Sequence, residues 1–259
     1  MCYNAISKSM KAKEGKKMVA VVTGAGRGIG KAIAERLSED GYKVAVCYRE
    51  SETEANELSE SICAVGAEAK AFKMDITDSE NVNAVITEIE KEFGEIAVLV
   101  NNAGIASQML FTDITDEMWL KMIDTNLSGA FYCTRAVLPF MIHRKSGKII
   151  NISSIWGETG GSCEVHYSAA KAGVIGMTKA LAKEVGPSGI TVNSVSPGVI
   201  LTDMTSHFDE ETMNELKEET PLGRIGTPKD VAGVVSFLAS SDADFITGAD
   251  IPVNGGMNI

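Results

Sequence analysis

Residues 18–30 set a short apolar run directly against a cluster of glycines, and few folds accommodate that junction. Met18-Val-Ala-Val-Val22 reads as a buried strand, and Thr23-Gly-Ala-Gly-Arg-Gly-Ile-Gly30 follows without a spacer. From Lys31 to Asp40 the apolar residues Ile33, Ala34 and Leu37 recur at helical spacing, and Gly41 stops the run. A strand, a glycine turn and a helix are the context a phosphate-cradling loop needs. Glycines let backbone approach a pyrophosphate, and the helix N-terminus supplies free N–H groups and the positive end of its dipole. The strict G-x-G-x-x-G pattern fits in no register, because Ile29 falls where a glycine is required. Taken alone, the same residues also suit a plain tight turn.

The rest of the chain repeats this alternation. Strands are expected at 43–48, 67–74, 96–100, 147–152, 190–195 and 249–253. Helices are expected at 51–65 and 77–93, each opened by a capping box (Ser51-Glu-Thr-Glu54 and Thr77-Asp-Ser-Glu80), then at 115–143, from Tyr167 to Val185, and from Thr227 to about Leu238. Short loops between alternating strands and helices imply a parallel sheet with right-handed crossovers. The predicted fold is α/β: a single-domain, Rossmann-like, doubly wound parallel sheet of about seven strands spanning residues 18–259. Residues 1–17 stand apart as an N-terminal tail. They carry five lysines against Glu14, a net of +4, leaving −15 for the remainder of a chain whose net charge is −11. Residues 199–226 are polar and acidic, with a short helix expected around Asp209–Glu219, and read as a flap over a site.

An acidic chain argues against nucleic acid or an anionic membrane as partner. No apolar run reaches transmembrane length. Five scattered cysteines without a Cys-x-x-Cys pair read as reduced thiols in a cytoplasmic protein. Together with three histidines at no ligand spacing, they give no reason to expect a metal.

Tyr167 and Lys171 are four residues apart, so on a helix they share one face. A free Tyr has a pKa of about 10 and is a poor proton donor or acceptor at neutrality. A neighbouring ammonium is expected to lower it and fit the phenol for acid–base work. At the cofactor's adenosine end, a site for NAD usually closes the second strand with an acid. Here that strand ends in Tyr48-Arg49, and Arg27 lies in the glycine turn. Two guanidiniums suit a 2′-phosphate, so the chemistry favours NADP, with NAD the alternative if Arg49 is merely solvated and Glu50 takes the acid's place.

Together these residues resemble the short-chain dehydrogenase/reductase family. Its motifs occur in order: Thr23-Gly-x-x-x-Gly28-x-Gly30, Asp75, Asn101-Asn-Ala-Gly104, Asn126, Ser154, Tyr167-x-x-x-Lys171 and Pro197-Gly198. Within the family the chain is most similar to bacterial 3-oxoacyl-carrier-protein reductases. That likeness rests on Thr202-Asp-Met204, Pro221-Leu-Gly-Arg-Ile-Gly226, Ile246-Thr-Gly248 and Val253-Asn-Gly-Gly-Met257. The resemblance implies that Tyr167 donates a proton to a carbonyl oxygen as hydride arrives. It implies that Lys171 tunes Tyr167 and holds the nicotinamide ribose, that Ser154 hydrogen-bonds the substrate, and that Asn126 holds a water. It also implies that Gly24, Arg27, Gly28, Ile29 and Gly30 cradle the pyrophosphate side, with Asp75 and Ile76 beside the adenine. Asn102, Ala103 and Gly104 would form the cofactor floor, and Pro197, Gly198, Ile200 and Thr202 would meet the nicotinamide. A small carbonyl or acyl-thioester substrate and a homotetramer are implied as well.

Two stretches depart from that pattern. Ser188 stands where the carrier-protein reductases commonly have an arginine for docking the acidic carrier, so a carrier partner is in doubt. Arg144, Lys145 and Lys148 would supply one side of such a patch and Ser188 leaves the other bare. Glu164-Val-His166 replaces a common Gln-x-Asn before Tyr167, and either faces the substrate or caps the helix. The rival functions are a stand-alone alcohol or hydroxysteroid dehydrogenase and a catalytically silent nucleotide sensor.

Overall fold

The computed structural model describes residues 18–203, 205 and 209–258. The tail at 1–17 and Met204 of the Thr202-Asp-Met204 motif lie outside the described residues.

Seven strands form one parallel sheet in the order β3-β2-β1-β4-β5-β6-β7. In chain order they are β1 (Val19–Thr23), β2 (Lys43–Tyr48), β3 (Ala69–Lys73), β4 (Ile96–Asn101), β5 (Gly147–Ile152), β6 (Ile190–Pro197) and β7 (Asp250–Val253). Alternate side chains of β1 enter opposite layers. Ala20 and Val22 pack with Ile33 and Leu37 of helix α1 (Gly28–Glu39) and with Leu58 of α2 (Glu52–Ala64). Val19 and Val21 pack with Val82 and Ile86 of α3 (Ser79–Glu88). Both faces are therefore covered by helices, which is why the central strands are apolar without interruption. The strand order reverses between β1 and β4, and in open α/β sheets ligands bind in the crevice at the carboxyl ends beside such a switch point.

Several expected elements differ locally. The helix expected at 115–143 is two helices, α4 (Asp116–Ile123) and α5 (Gly129–Arg144), joined by a wide π turn at Asp124–Ser128. Asn126 causes the interruption. Its Nδ2 donates to the carbonyls of Met122 and Ile105 at 3.1 and 3.0 Å, and its Oδ1 accepts from Ile105 N–H at 3.2 Å. A side chain that bonds backbone outside its helix favours a widened turn over a regular one. Neither predicted capping box forms. Ser51 makes no cap bond, and α3 is capped by Asp78, whose carboxylate accepts from Glu80 and Asn81 N–H. The box that does form opens α9 (Pro228–Ala239), where Asp230 accepts from Thr227 N–H at 2.7 Å.

Three further helices complete the chain: α6 (Ile155–Thr159), α7 (Val165–Val185) and α8 (Glu210–Glu219). The segment expected to be a flap is stitched at its base. Leu201 N–H donates to Gly226 O at 2.9 Å, and Gly226 N–H to Val199 O at 3.0 Å. Arg224 binds Asp230 bidentately at 2.9 and 2.8 Å, so the Pro221–Gly226 motif anchors the segment's far end. That ion pair, with the Thr227 bonds, holds the Asp230 carboxyl well below the usual range.

One surface reading needs correction. Ser188 and Lys148 sit at the amino-terminal ends of β6 and β5. Helix α7, 21 residues long, puts that end of the sheet roughly 30 Å from Tyr167 at about 1.5 Å per residue. Arg144 is bound to Glu90 and Ile96 O, and Lys148 to Ser240 O and Asp244. These cations therefore do not flank Tyr167 in the same chain, and sequence proximity to β5 misled because it does not say which end of the strand carries the site.

Candidate active site

The glycine turn lies between the ends of β1 and β4. Thr23, the last residue of β1, accepts at Oγ1 from Asn102 N–H and Ala103 N–H, both at 3.0 Å. Asn102 Nδ2 donates back to Thr23 O at 2.9 Å and Gly24 O at 3.2 Å. Gly24 and Gly28 have φ of +63° and +56°, the left-handed region where a side chain is strained. A Cβ on Gly30 would fall 2.3 Å from Gly24 O and 2.5 Å from Asn102 Nδ2. Helix α1 starts at Gly28, with no side-chain cap and no acid in its first turn. Its free N–H groups therefore open onto the turn. Ile29 packs against the apolar layer, so only its backbone faces the turn.

The end of β2 is more tightly committed than the sequence suggested. Arg49 Nη2 donates to Glu50 Oε1 at 2.7 Å, and Arg27 Nη1 is 3.5 Å from Asp203 Oδ2. The two guanidiniums thus hold separate carboxylates. Burial raises the Asp75 carboxyl, but hydrogen bonds from Thr77 N–H and Oγ1 (2.9 and 2.7 Å) and the charge of Arg49 outweigh it and keep its pKa low. Ile76 packs in the core layer, where a Cβ on Gly129 would meet its Cδ1 at 2.6 Å. Ser51, which sequence reasoning used as a cap, instead faces the glycine turn; a Cβ on Gly26 would be 2.6 Å from its Oγ. The sequence carries no signal for this, because Ser51 fits a cap by pattern and its partner Gly26 is a contact of the fold.

Asn126, Ser154, Tyr167 and Lys171 converge at the carboxyl ends of β4 and β5. Lys171 is 4% exposed and donates from Nζ to Ile152 O at 2.9 Å. Gly104 brings the group together: a Cβ there would lie 2.5 Å from Asn126 Oδ1 and 3.5 Å from Lys171 Nζ. Lys171 Nζ is 5.7 Å from the centroid of the Tyr167 ring. Ser154 caps α6 through Trp156 N–H and hydrogen-bonds Tyr167. Ser153, which the motifs did not mark, locks the pair from below by donating to Lys171 O at 3.0 Å.

The electrostatics reverse one expectation. Tyr167 is pushed up to about 12, chiefly by burial, with the Ser154 hydrogen bond opposing and the charge of Glu164 adding to the rise. Burial also drives Lys171 down to about 8. Helical spacing reveals that the two are neighbours, but not that both leave water, and desolvation outweighs the ammonium's effect. The phenol is therefore protonated at neutral pH, and most of Lys171 still carries charge.

The remaining expected residues close the crevice from β6. Pro197 ends β6 opposite Val253, and Gly198 N–H donates to Val253 O at 3.0 Å. Ile200 is buried, and Thr202 Cγ2 lies over Gly28, 3.5 Å from where its Cβ would be. Glu164 is half-buried with its carboxyl raised by burial, so it is not a solvated loop acid; His166 is fully buried and its ring meets Ser107 instead of capping the helix. Among the described residues no group of three or more His, Cys, Asp or Glu could hold a metal ion, and no helix is long and apolar enough to cross a membrane.

A family model described as enoyl-(acyl carrier protein) reductase matches residues 24–258. The chain is 45% identical over 238 residues to a 3-oxoacyl-[acyl-carrier-protein] reductase of Staphylococcus aureus, covering 92% of this chain and 97% of that one. A 3-oxoacyl-[acyl-carrier-protein] reductase of Vibrio cholerae is 45% identical over 244 residues, covering 94% and 98%, and one of Haemophilus influenzae is 44% identical over 239, covering 92% and 97%. The chain belongs to the short-chain dehydrogenase/reductase family. It is an oxidoreductase of α/β fold that works with a nicotinamide cofactor. The site fits that group: the bare glycine turn and the uncapped start of α1 are what a pyrophosphate requires.

Gly30→Ala tests the turn. The added methyl forces apart the contact between Gly24 O and Asn102, so nicotinamide dinucleotide affinity is expected to fall by about tenfold or more, roughly 1.4 kcal/mol. Fluorescence titration with NADPH reads it.

Proposed function

We propose that this chain reduces the 3-oxo group of an acyl thioester to the 3-hydroxy compound, with NADPH as reductant. The observation that supports it most is the convergence of Asn126, Lys171, Tyr167 and Ser154 beside the bare face of Gly104. The thioester class comes from the printed activities of relatives that match over nearly the whole chain. The bound cofactor supplies the hydride. Tyr167, neutral because it is buried, gives its proton to the carbonyl oxygen as negative charge develops there. Ser154 hydrogen-bonds the same oxygen and holds the phenol. Lys171 keeps a positive charge beside the proton-depleted Tyr167, and Asn126 holds the Gly104–Ile105 backbone around it.

NADP is favoured over NAD by the absence of an acid at the end of β2, with Arg49, Ser51 and Arg27 as the cradle for a 2′-phosphate. In this reading Arg49 leaves Glu50 for the phosphate, and Gly24, Gly28, Gly30, Asn102, Ala103 and Thr202 line the cofactor. A carrier-bound thioester is the natural form of substrate given the relatives. With Arg144 and Lys148 at the far end of the sheet, carrier docking through them would draw on a second copy. A homotetramer suits the apolar side chains left outside: Leu120 on α4, Phe131 on α5 and Phe237 on α9 are 57%, 44% and 42% exposed. A cytoplasmic location agrees with the scattered cysteines.

The test is oxidation of NADPH by acetoacetyl thioesters, small and carrier-bound. Tyr167→Phe keeps the ring and removes the proton, so turnover should fall by about 10²-fold or more while NADPH still binds; near-normal kcat would remove Tyr167 from the mechanism. Arg49→Asp should weaken NADPH and improve NADH, moving the ratio of their kcat/KM values by about tenfold or more. An unchanged ratio would leave Arg49 merely paired with Glu50.

A further inference from the structure

The departure at Glu164-Val-His166 has no place in the chemistry above, yet it is built into the structure. Residues 107–109, after β4, run antiparallel to the segment that opens α7. Met109 N–H donates to Cys163 O at 2.7 Å. Gln108 Nε2 donates to Glu164 Oε1 at 3.4 Å, and Ser107 Oγ is 3.0 Å from His166 Nε2. Two residues earlier, the backbone of Ile105 is held on both sides by the Asn126 amide. This short loop therefore runs from Asn126 at one end to the neighbour of Tyr167 at the other.

His166 is 0% exposed, and its Nδ1 has no hydrogen-bond partner. A residue kept for packing alone would be apolar, because an unpaired buried nitrogen costs stability. Its other nitrogen is the one that reaches across to Ser107. A serine hydroxyl both donates and accepts, so the contact forms with either neutral tautomer. Burial lowers the His166 pKa and keeps the ring neutral.

We propose that His166 is a positioning residue: through Ser107 it fixes the 105–109 loop between Asn126 and the first turn of α7, and so sets Tyr167 against Lys171 and Asn126. This rests on the assignment of Tyr167, Lys171 and Asn126 to catalysis. The contact itself does not, and the experiment separates the two.

Ser107→Ala, His166→Leu, the double variant and His166→Gln are compared with the unaltered protein. Hydrogen–deuterium exchange across 105–110, without substrate, reads the clasp: either single change should speed exchange of the Met109 amide by about tenfold. Kinetics with NADPH and the N-acetylcysteamine thioester of acetoacetate read its effect. Each single change should lower kcat by about tenfold with the NADPH dissociation constant unchanged. The double variant should be no worse than the worse single, because both remove one contact. His166→Gln, whose amide reaches about as far as Nε2, should recover most of the loss, which a filler of volume would not. Unchanged exchange and kcat in both single variants would overturn the proposal, as would losses that multiply in the double. Should His166→Leu fail to fold, Ser107→Ala alone carries the test. No NADPH oxidation by the unaltered protein would sink the catalytic reading, while the exchange result would still decide the clasp.

Discussion

Lys171 places a long cationic side chain almost wholly out of water, with the Ile152 carbonyl as its direct hydrogen-bond acceptor. Much of the surrounding structure serves that ammonium. Burial lowers its pKa to about 8, below the ordinary lysine value of 10.5. Between those values the unfolded chain binds more protons than the folded one, so this group's penalty to folding is full below about 8 and fades as pH rises. A folded protein that carries such a cost at neutrality gains something else by it. Here the gain is a positive charge fixed beside a phenol that is itself desolvated and protonated.

The sheet makes this arrangement possible. Reversal of strand order between β1 and β4 opens a crevice at their carboxyl ends. Thr23 at the end of one strand is bonded to Asn102 and Ala103 at the end of the other, so the glycine turn and the Gly104 backbone are tied together. Gly104 must be bare because Asn126 Oδ1 and Lys171 Nζ approach its Cα from α5's preceding turn and from α7. The π turn at Asp124–Ser128 is part of the same construction, since it lets one amide reach both Met122 and Ile105.

Most of the fold was legible because both faces of the sheet are covered, which leaves unbroken apolar strands in the sequence. The site motifs were legible because their glycines and small residues are demanded by contacts a Cβ would destroy, as at Gly24 and Gly30. What could not be read depends on partners distant in sequence. The π turn requires Ile105, 21 positions from Asn126. Ser51 is a good cap by pattern, but Gly26 lies against its hydroxyl. The direction of the Tyr167 shift depends on burial, which helical spacing does not report. Arg144, Lys148 and Ser188 look like neighbours of the site in one dimension and lie at the opposite end of the sheet in three.

The account turns on Lys171 being a buried cation that titrates near neutrality beside a protonated Tyr167. The pH dependence of kcat/KM for the 3-oxoacyl thioester, at saturating NADPH, reports groups of the cofactor-loaded protein through the proton-transfer step. It should be level through neutrality and fall as pH rises through about 8, where Lys171 loses its charge. A profile that rises through that range, or one that stays level until the phenol ionises near 12, would contradict the role given to Lys171.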